Sequence, residues 1–292
     1  MKTIAVLGAA GKVGQLMLKE LARMNKQVKV EPYGRHDKPE PCDIAILCTD
    51  DPVSEKLAGE LKDKAKFIID MSAKFRNNPE VPLVIPEINA DTITKDTQLI
   101  ASPNCTTTGL VMALNPLKTK YTLEEVFFCS YQAISGGGKK LIDEFNSEGS
   151  LYQANCVPLI GSLKENGFTS EEMKGLNETR KILRLPKIKV RPHTVRVPVM
   201  VSHSLGVTLK AKEDFDMANI QQLFASQKGV VCDGKIYTPK EVEGKDEVFI
   251  SRVRQDFEDK NILHFWITFD NLLKGAALNG RQIAEYLLEH LL

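Results

Sequence analysis

No stretch of this sequence approaches the roughly 20 consecutive apolar residues that a membrane-spanning helix needs, so nothing in it reads as a bilayer span. Charge of one sign is not in excess either: 39 lysines and arginines face 38 aspartates and glutamates, a formal net charge of +1. That balance excludes the broad electrostatic footprint of a nucleic-acid or membrane-surface protein and points to small solutes as partners. Cysteine is sparse and scattered. The residues at 42, 48, 105, 129, 156 and 232 make no close metal-ligand pairs and no compact disulfide framework, which fits free thiols in a reducing cytoplasm. Neither an internal repeat nor a low-complexity tract is visible. Met1 to Leu7 carries one lysine and a short apolar run without a small-residue cleavage site, and so reads as a first β-strand and not as a secretion signal.

What is present is the composition of a globular protein, with 42% hydrophobic and 26% charged residues over 292 positions, enough for two domains. Thr3 to Leu7 is a β-type run, glycines follow at 8, 11 and 14, and Val13 to Met24 has helical apolar spacing. Val28 to Glu31, Ile44 to Cys48 and Phe67 to Met71 read as further strands and Val53 to Leu61 as a helix. The alternation predicts an α/β, Rossmann-like domain with a doubly wound parallel sheet. Glu31 to Cys42 holds three prolines and no periodicity, and is expected to be an exposed connection. After Cys105 the texture changes. Thr106 to Leu117 reads as a helix, Val126 to Ala133 as a strand, and β-like runs recur at 193–201, 204–210 and 262–269. Leu272 to Leu292 has the spacing of an amphipathic helix. We expect a first domain of residues 1–104 completed by 273–292, and between them, at 105–272, an α+β domain on a mixed or antiparallel sheet with helices on one face.

Three groups of residues carry chemistry. Gly8-Ala-Ala-Gly11-Lys12-Val13-Gly14 follows a strand and opens a helix, where backbone N–H groups and the helix dipole would face a pyrophosphate. Beyond the second strand Glu31, suited to ribose hydroxyls, competes with Arg35, suited to a 2′-phosphate, with a modest edge to NADP. Ser102-Pro-Asn104-Cys105 places a cysteine just before a helix-patterned run, where the dipole and unpaired N–H groups favour the thiolate. The other five cysteines lack that setting and read as structural. A thiol nucleophile needs a base, and of the five histidines His203, between two strands, is the best candidate.

These segments resemble, in order and nearly end to end, those of aspartate-semialdehyde dehydrogenases. Ala101-Ser-Pro-Asn-Cys-Thr-Thr-Thr is similar to that family's cysteine motif, Tyr131-Gln-Ala-Ile-Ser-Gly-Gly-Gly to its glutamine and glycine motif, and Arg196-Val-Pro-Val-Met-Val-Ser-His203 to its arginine and histidine motif. Asn177-Glu-Thr-Arg-Lys181, Asp70-Met-Ser-Ala-Lys-Phe-Arg76 and Asp270-Asn-Leu-Leu-Lys-Gly-Ala-Ala-Leu-Asn279 match as well. The resemblance implies an NADP-dependent phosphorylating aldehyde dehydrogenase of lysine, threonine and methionine biosynthesis. Its catalytic residues would be Cys105 as nucleophile, His203 as general acid and base, and Gln132 as the residue orienting the reacting groups. Arg196 and Glu178 would clamp the carboxylate and ammonium of L-aspartate semialdehyde, Arg76 and Lys181 would hold phosphate, and Asn104 would add a substrate contact. Cofactor contacts would come from the glycine turn with Lys12 and Val13, from Arg35, Ser135 and Gly136, and from Asn279. The second domain would also carry a homodimer or dimer-of-dimers interface.

Two departures lie beside the expected cofactor site: only seven residues separate Arg35 from Asp43, where the family has a much longer segment, and Cys48-Thr-Asp-Asp-Pro52 replaces a glycine-containing loop. Two other readings are weighed. N-acetyl-glutamyl-phosphate reductase shares the thioester chemistry, but its acylated substrate would leave Glu178 without a cationic partner. A non-catalytic redox sensor would have no use for the substrate clamp.

Overall fold

A computed structural model describes residues 1–292. The chain forms two compact units, Met1–Asn104 with Ala276–Leu292, and Cys105–Gly275. No helix is long and apolar enough to cross a membrane.

The first unit runs β1 (Lys2–Leu7), α1 (Lys12–Ala22), β2 (Val28–Tyr33), β3 (Cys42–Leu47), α2 (Asp51–Glu60), β4 (Ala65–Asp70), α3 (Pro86–Asn89) and β5 (Leu99–Ala101), and ends with a C-terminal helix, Leu278–His290. Its five strands are all parallel, in the order β2-β1-β3-β4-β5. Side chains alternate between the faces of a strand. Ile4, Val6, Ile44 and Ile46 therefore point to one face, where Met17 and Leu21 of α1 and Ile283, Ala284 and Leu287 of the C-terminal helix cover them. Ala5, Leu7, Ala45 and Leu47 point to the other, against Leu57 and Ala58 of α2 and the adjoining Leu61. Burial on both faces is why these strands are continuous apolar runs.

The connection from β2 to β3 has only eight residues, Gly34 to Pro41. Both strands run parallel to β1 on opposite sides of it, so the connection must return along the whole sheet. A six-residue strand spans about 20 Å and eight extended residues reach about 26–29 Å. No room is left for a crossover helix, and extended chain with Pro39 and Pro41 fills the gap, tied by the Lys64 ammonium to the Pro39 carbonyl at 3.2 Å.

The second unit comprises α4 (Cys105–Lys118), β6 (Leu123–Gln132), α5 (Gly138–Phe145), α6 (Ser170–Leu183), β7 (Lys189–Arg196), β8 (His203–Ala211), α7 (Ile220–Ala225), β9 (Val230–Val231), α8 (Pro239–Val242), β10 (Val248–Gln255) and β11 (Ile262–Phe269). Its six-stranded sheet has the order β7-β6-β8-β11-β10-β9. It is mixed, as expected: β6–β7 and β9–β10 pair in parallel and the remaining pairs are antiparallel. Along β6, Val126, Phe128, Ser130 and Gln132 are buried while Phe127 and Tyr131 are exposed, so one face carries the core and the other a set of aromatic side chains. Helix α4 is buried nearly throughout. Its Gly109 leaves room for the Phe269 ring, into which a Cβ would project.

Two expectations are corrected and strand β10 is added. The β-like run at 193–201 ends as a strand at Arg196, because Pro198 lacks an N–H and the Val199 and Met200 carbonyls turn to accept the Ile134 and Ser135 amides. Strand β10 was not foreseen; Arg252 and Arg254 interrupt its apolar pattern around a bulge at which Arg252 has φ 53°. The helix expected from Leu272 begins as a π-helical turn at Leu273–Ala277 and becomes α-helical at Leu278.

Candidate active site

The strand order of the first unit reverses direction between β1 and β3, the point at which open parallel sheets bind ligands outside their carboxyl ends. The glycine turn lies there. Gly8 has φ 77°, and a Cβ on it would stand 2.5 Å from the Cys48 carbonyl oxygen and 2.9 Å from Thr49 Cγ2. Only glycine lets the turn after β1 lie against the end of β3. A Cβ on Gly14 would overlap the backbone of Gly8 and Ala9, so α1 starts tight against the turn. Gly11 caps α1 with no side-chain hydrogen bond, which leaves the first-turn amides of Lys12, Val13 and Gly14 for an anion. This cradle fits a dinucleotide pyrophosphate.

At the end of β2 the two competitors differ in what they offer. The Glu31 carboxylate pairs with the Lys29 ammonium at 2.6 Å and accepts the Tyr33 hydroxyl at 2.9 Å. The Lys29 hydrogen bond, followed by that from Tyr33, holds its pKa below the ordinary carboxylate value. Arg35 is exposed. Elsewhere in this unit, buried Arg76 donates Nε to the Ser102 carbonyl at 2.9 Å and Nη2 to the Met71 carbonyl at 3.0 Å. Asn104 is buried. Asn279 is fully buried too, and its Nδ2 donates to the Val84 carbonyl and to Ser102 Oγ, both at 3.0 Å. That group holds the segment leading to Asn104.

In the second unit Cys105 is the first residue of α4, with Gly275 so close that a Cβ there would stand 2.7 Å from Cys105 Cβ. Cys105 Sγ is 3.3 Å from His203 Nε2. His203 opens β8 and is fully buried. Its Nδ1 accepts the Ala133 backbone N–H at 3.0 Å, so the neutral ring carries its proton on Nε2, facing the sulfur. Burial, and then the nearby positive charge of Arg196, push the imidazole pKa down to about 3. The neutral form is the resting one.

The residue before His203 is strained. Ser202 has φ 75°, and its N–H is held by Asn271 Oδ1 at 2.9 Å, while Asn271 Nδ2 donates to Ser135 Oγ at 3.1 Å. One buried amide thereby joins the two loops that flank the imidazole. The next residue, Gly136, packs where a Cβ would meet His203 Cε1 at 2.9 Å and Arg196 Nη1 at 3.0 Å.

Parallel pairing of β6 with β7 sets Gln132 beside Arg196. Arg196 is buried, donates Nη1 to the Ala133 carbonyl at 2.7 Å, and has its pKa lowered by burial. Gln132 donates Nε2 to Ser130 Oγ at 3.3 Å and to Glu171 Oε1 at 3.1 Å. Glu178 lies on the buried face of α6. Lys181, one turn on, has its pKa lowered by burial against the opposing charge of Glu178. Cys105, His203, Gln132, Arg196, Ser135 and Gly136 thus form one cluster. Reading the sequence missed Glu171, Asn271 and the Ala133 amide. Asn271 and Ala133 both lay in recognised motifs, but a backbone N–H leaves no trace in residue identity, and Glu171 lay in none.

A dinucleotide-binding unit joined to one that sets a helix-terminal cysteine against a buried histidine is the build of a semialdehyde dehydrogenase, an oxidoreductase. Residues 23–96 match the model of the semialdehyde dehydrogenase NAD-binding domain, and residues 114–274 that of the semialdehyde dehydrogenase dimerisation domain. Aspartate-semialdehyde dehydrogenase of Bacillus subtilis is 33% identical over 97% of this chain and 96% of its own length. That of Rickettsia bellii is 34% identical over 98% of this chain and 97% of its own. The crystal structure of aspartate semialdehyde dehydrogenase II from Vibrio cholerae, complexed with ASA, is matched with a TM-score of 0.92 at 28% identity, over 100% of this chain and 99% of that one. This chain belongs to the aspartate-semialdehyde dehydrogenase family.

Proposed function

We propose that this chain catalyses the reversible, NADP- and phosphate-dependent oxidation of L-aspartate 4-semialdehyde to L-4-aspartyl phosphate, the biosynthetic direction being the reduction. The observation that carries the reading is the Cys105–His203 pair at the start of α4, 3.3 Å apart in a cluster with Arg196 and Gln132. The Cys105 thiolate, favoured at a helix N-terminus, adds to the aldehyde carbon. The His203 Nε2–H faces first the sulfur and then the oxyanion that addition creates, which it stabilises by donating a hydrogen bond. The dinucleotide, when bound, supplies the hydride acceptor of the oxidation. The resulting Cys105 thioester is cleaved by a phosphate oxygen, which forms the acyl phosphate and returns the thiolate.

Arg196 is the carboxylate partner, since a buried guanidinium with one N–H committed to Ala133 still has a fork to offer. Glu178 pairs with the ammonium, and Arg76 and Lys181 are the cations for phosphate. Asn104 completes the substrate contacts, and Ser135, Gly136 and Asn279 belong with the cofactor side. The preference for NADP rests on the end of β2: the Glu31 carboxylate is spent on Lys29 and Tyr33, whereas Arg35 is exposed for a 2′-phosphate. Two copies pair through the exposed sheet face that carries Phe127 and Tyr131, a reading supported by the dimerisation-domain match. A cytoplasmic setting accords with the six free cysteines.

The test is phosphate-dependent reduction of NADP and, separately, NAD, followed by absorbance with L-aspartate semialdehyde as substrate. Turnover with NADP upholds the assignment. Turnover with NAD alone keeps the chemistry and removes Arg35 from its role. Turnover only with the N-acetylated glutamate semialdehyde overturns the substrate.

A further inference from the structure

We infer that Glu171 is a positioning residue for the reaction: it fixes the rotation of the Gln132 side-chain amide, so that Gln132 presents its oxygen and not its nitrogen to the reacting groups. The inference rests on the thioester reading above and adds a residue to which that reading gives no role.

Glu171 stands in the first turn of α6. Thr169 and Glu172 form a reciprocal capping box, in which Thr169 Oγ1 accepts the Glu172 amide at 3.2 Å and Glu172 Oε2 accepts the Thr169 amide at 2.8 Å. That box pins the first turn of α6. Glu171, at the second position of the turn, leaves on the buried face together with Gly175 and Glu178. A carboxylate in the first turn is favoured by the helix dipole. Its second oxygen is occupied by the Lys174 ammonium at 3.1 Å. Glu171 is thus buried, anchored at both oxygens and aimed at β6.

At its other end stands Gln132. An ionised carboxylate accepts hydrogen bonds and donates none, so the 3.1 Å contact with Glu171 Oε1 must be made by Gln132 Nε2. The second Nε2 hydrogen goes to Ser130 Oγ at 3.3 Å. Both donors are then spent within the protein, and Oε1 is the atom that Gln132 has left to offer. Without Glu171 the amide could turn over at little cost, exchanging an acceptor for a donor. Glu171 also places a negative charge in the field of Arg196 and His203, which offsets part of the cost of burying the Arg196 cation.

The test is a double-mutant cycle on the full-length enzyme with Glu171→Ala, Gln132→Ala and the pair, with Glu171→Gln as the conservative variant. Glu171→Ala is expected to lower kcat at least tenfold, with the Michaelis constant of the dinucleotide unchanged. On the Gln132→Ala background the same change should cost less than twofold, because the effect passes through Gln132. Glu171→Gln can still present an amide oxygen to Gln132 and should recover most of the rate. Additive losses, or a Glu171→Gln variant as impaired as Glu171→Ala, overturn the inference. Hydrogen exchange of the Gln132 side-chain NH₂ by NMR, assigned with Gln132→Ala, tests it without substrate. Slow exchange in the wild type and fast exchange in Glu171→Ala uphold it, and equal rates overturn it. Should the wild type fail to turn over aspartate semialdehyde, the substrate assignment falls while the exchange measurement still decides whether Glu171 fixes the Gln132 amide.

Discussion

Cys105 Sγ lies 3.3 Å from His203 Nε2 although 98 positions separate the two residues. One heads a helix and the other opens a strand of the same unit, and neither depends on a flexible loop for its place. If this pair performs the chemistry, Cys105→Ser should lower turnover by several orders of magnitude, since a hydroxyl beside the same imidazole is a far weaker nucleophile. Dinucleotide binding, measured by fluorescence titration, should stay within a factor of about two. Retention of more than a few per cent of the activity removes Cys105 from its role.

The depressed pKa of His203 makes a prediction for stability. In the folded chain the imidazole titrates at about 3, against an ordinary 6.5. Between those values the unfolded state binds a proton that the folded state does not, so stability rises with pH across the window. The contribution is complete above 6.5 and is lost progressively as the pH falls toward 3. Urea unfolding from pH 4 to 7 should therefore show a steeper acid loss in the wild type than in His203→Gln. Parallel slopes would mean that the ring is accessible to protons when folded.

Arg196→Lys removes the planar fork while keeping the charge. Loss of one charge-assisted hydrogen bond, worth ~1.5–3 kcal/mol, should raise the Michaelis constant for the semialdehyde roughly tenfold or more, with a smaller change in kcat. Steady-state kinetics at saturating dinucleotide and phosphate give the answer, and an unchanged constant counts against a carboxylate clamp.

Asn271→Ala should cost about 1–3 kcal/mol of stability by orphaning the buried Ser202 amide. Because Ser202 precedes His203 and holds φ 75°, the loss of rate should exceed what the lowered melting temperature explains at the assay temperature. A variant that is destabilised but fully active at low temperature would reduce Asn271 to a purely structural residue.

Gly14→Ala should abolish dinucleotide binding, since its Cβ would enter the backbone of Gly8 and Ala9. The damage should stay local to the cofactor turn. Alkylation of Cys105 by iodoacetamide is expected to proceed at about the wild-type rate, and a large fall in that rate would show that the change disturbs both units.

Much of this molecule was determined by residue order alone. Strands such as Ile44–Leu47 are buried on both faces and therefore apolar throughout, and Gly8 must be glycine because its backbone is left-handed against Cys48. Cys105 was legible because a helix begins at it. Contacts of this kind are local, and a short window of sequence contains their cause. Tertiary structure alone decided the rest. Gln132 meets Arg196 because β6 and β7 pair in parallel; Glu171 reaches Gln132 from a helix 39 positions later in the chain; and Ala133 selects the His203 tautomer through a backbone N–H that every residue but proline possesses. Strand register and long-range packing place those groups, and no pattern of neighbouring residues encodes them, because the free energy that holds them together comes from the whole sheet and its core.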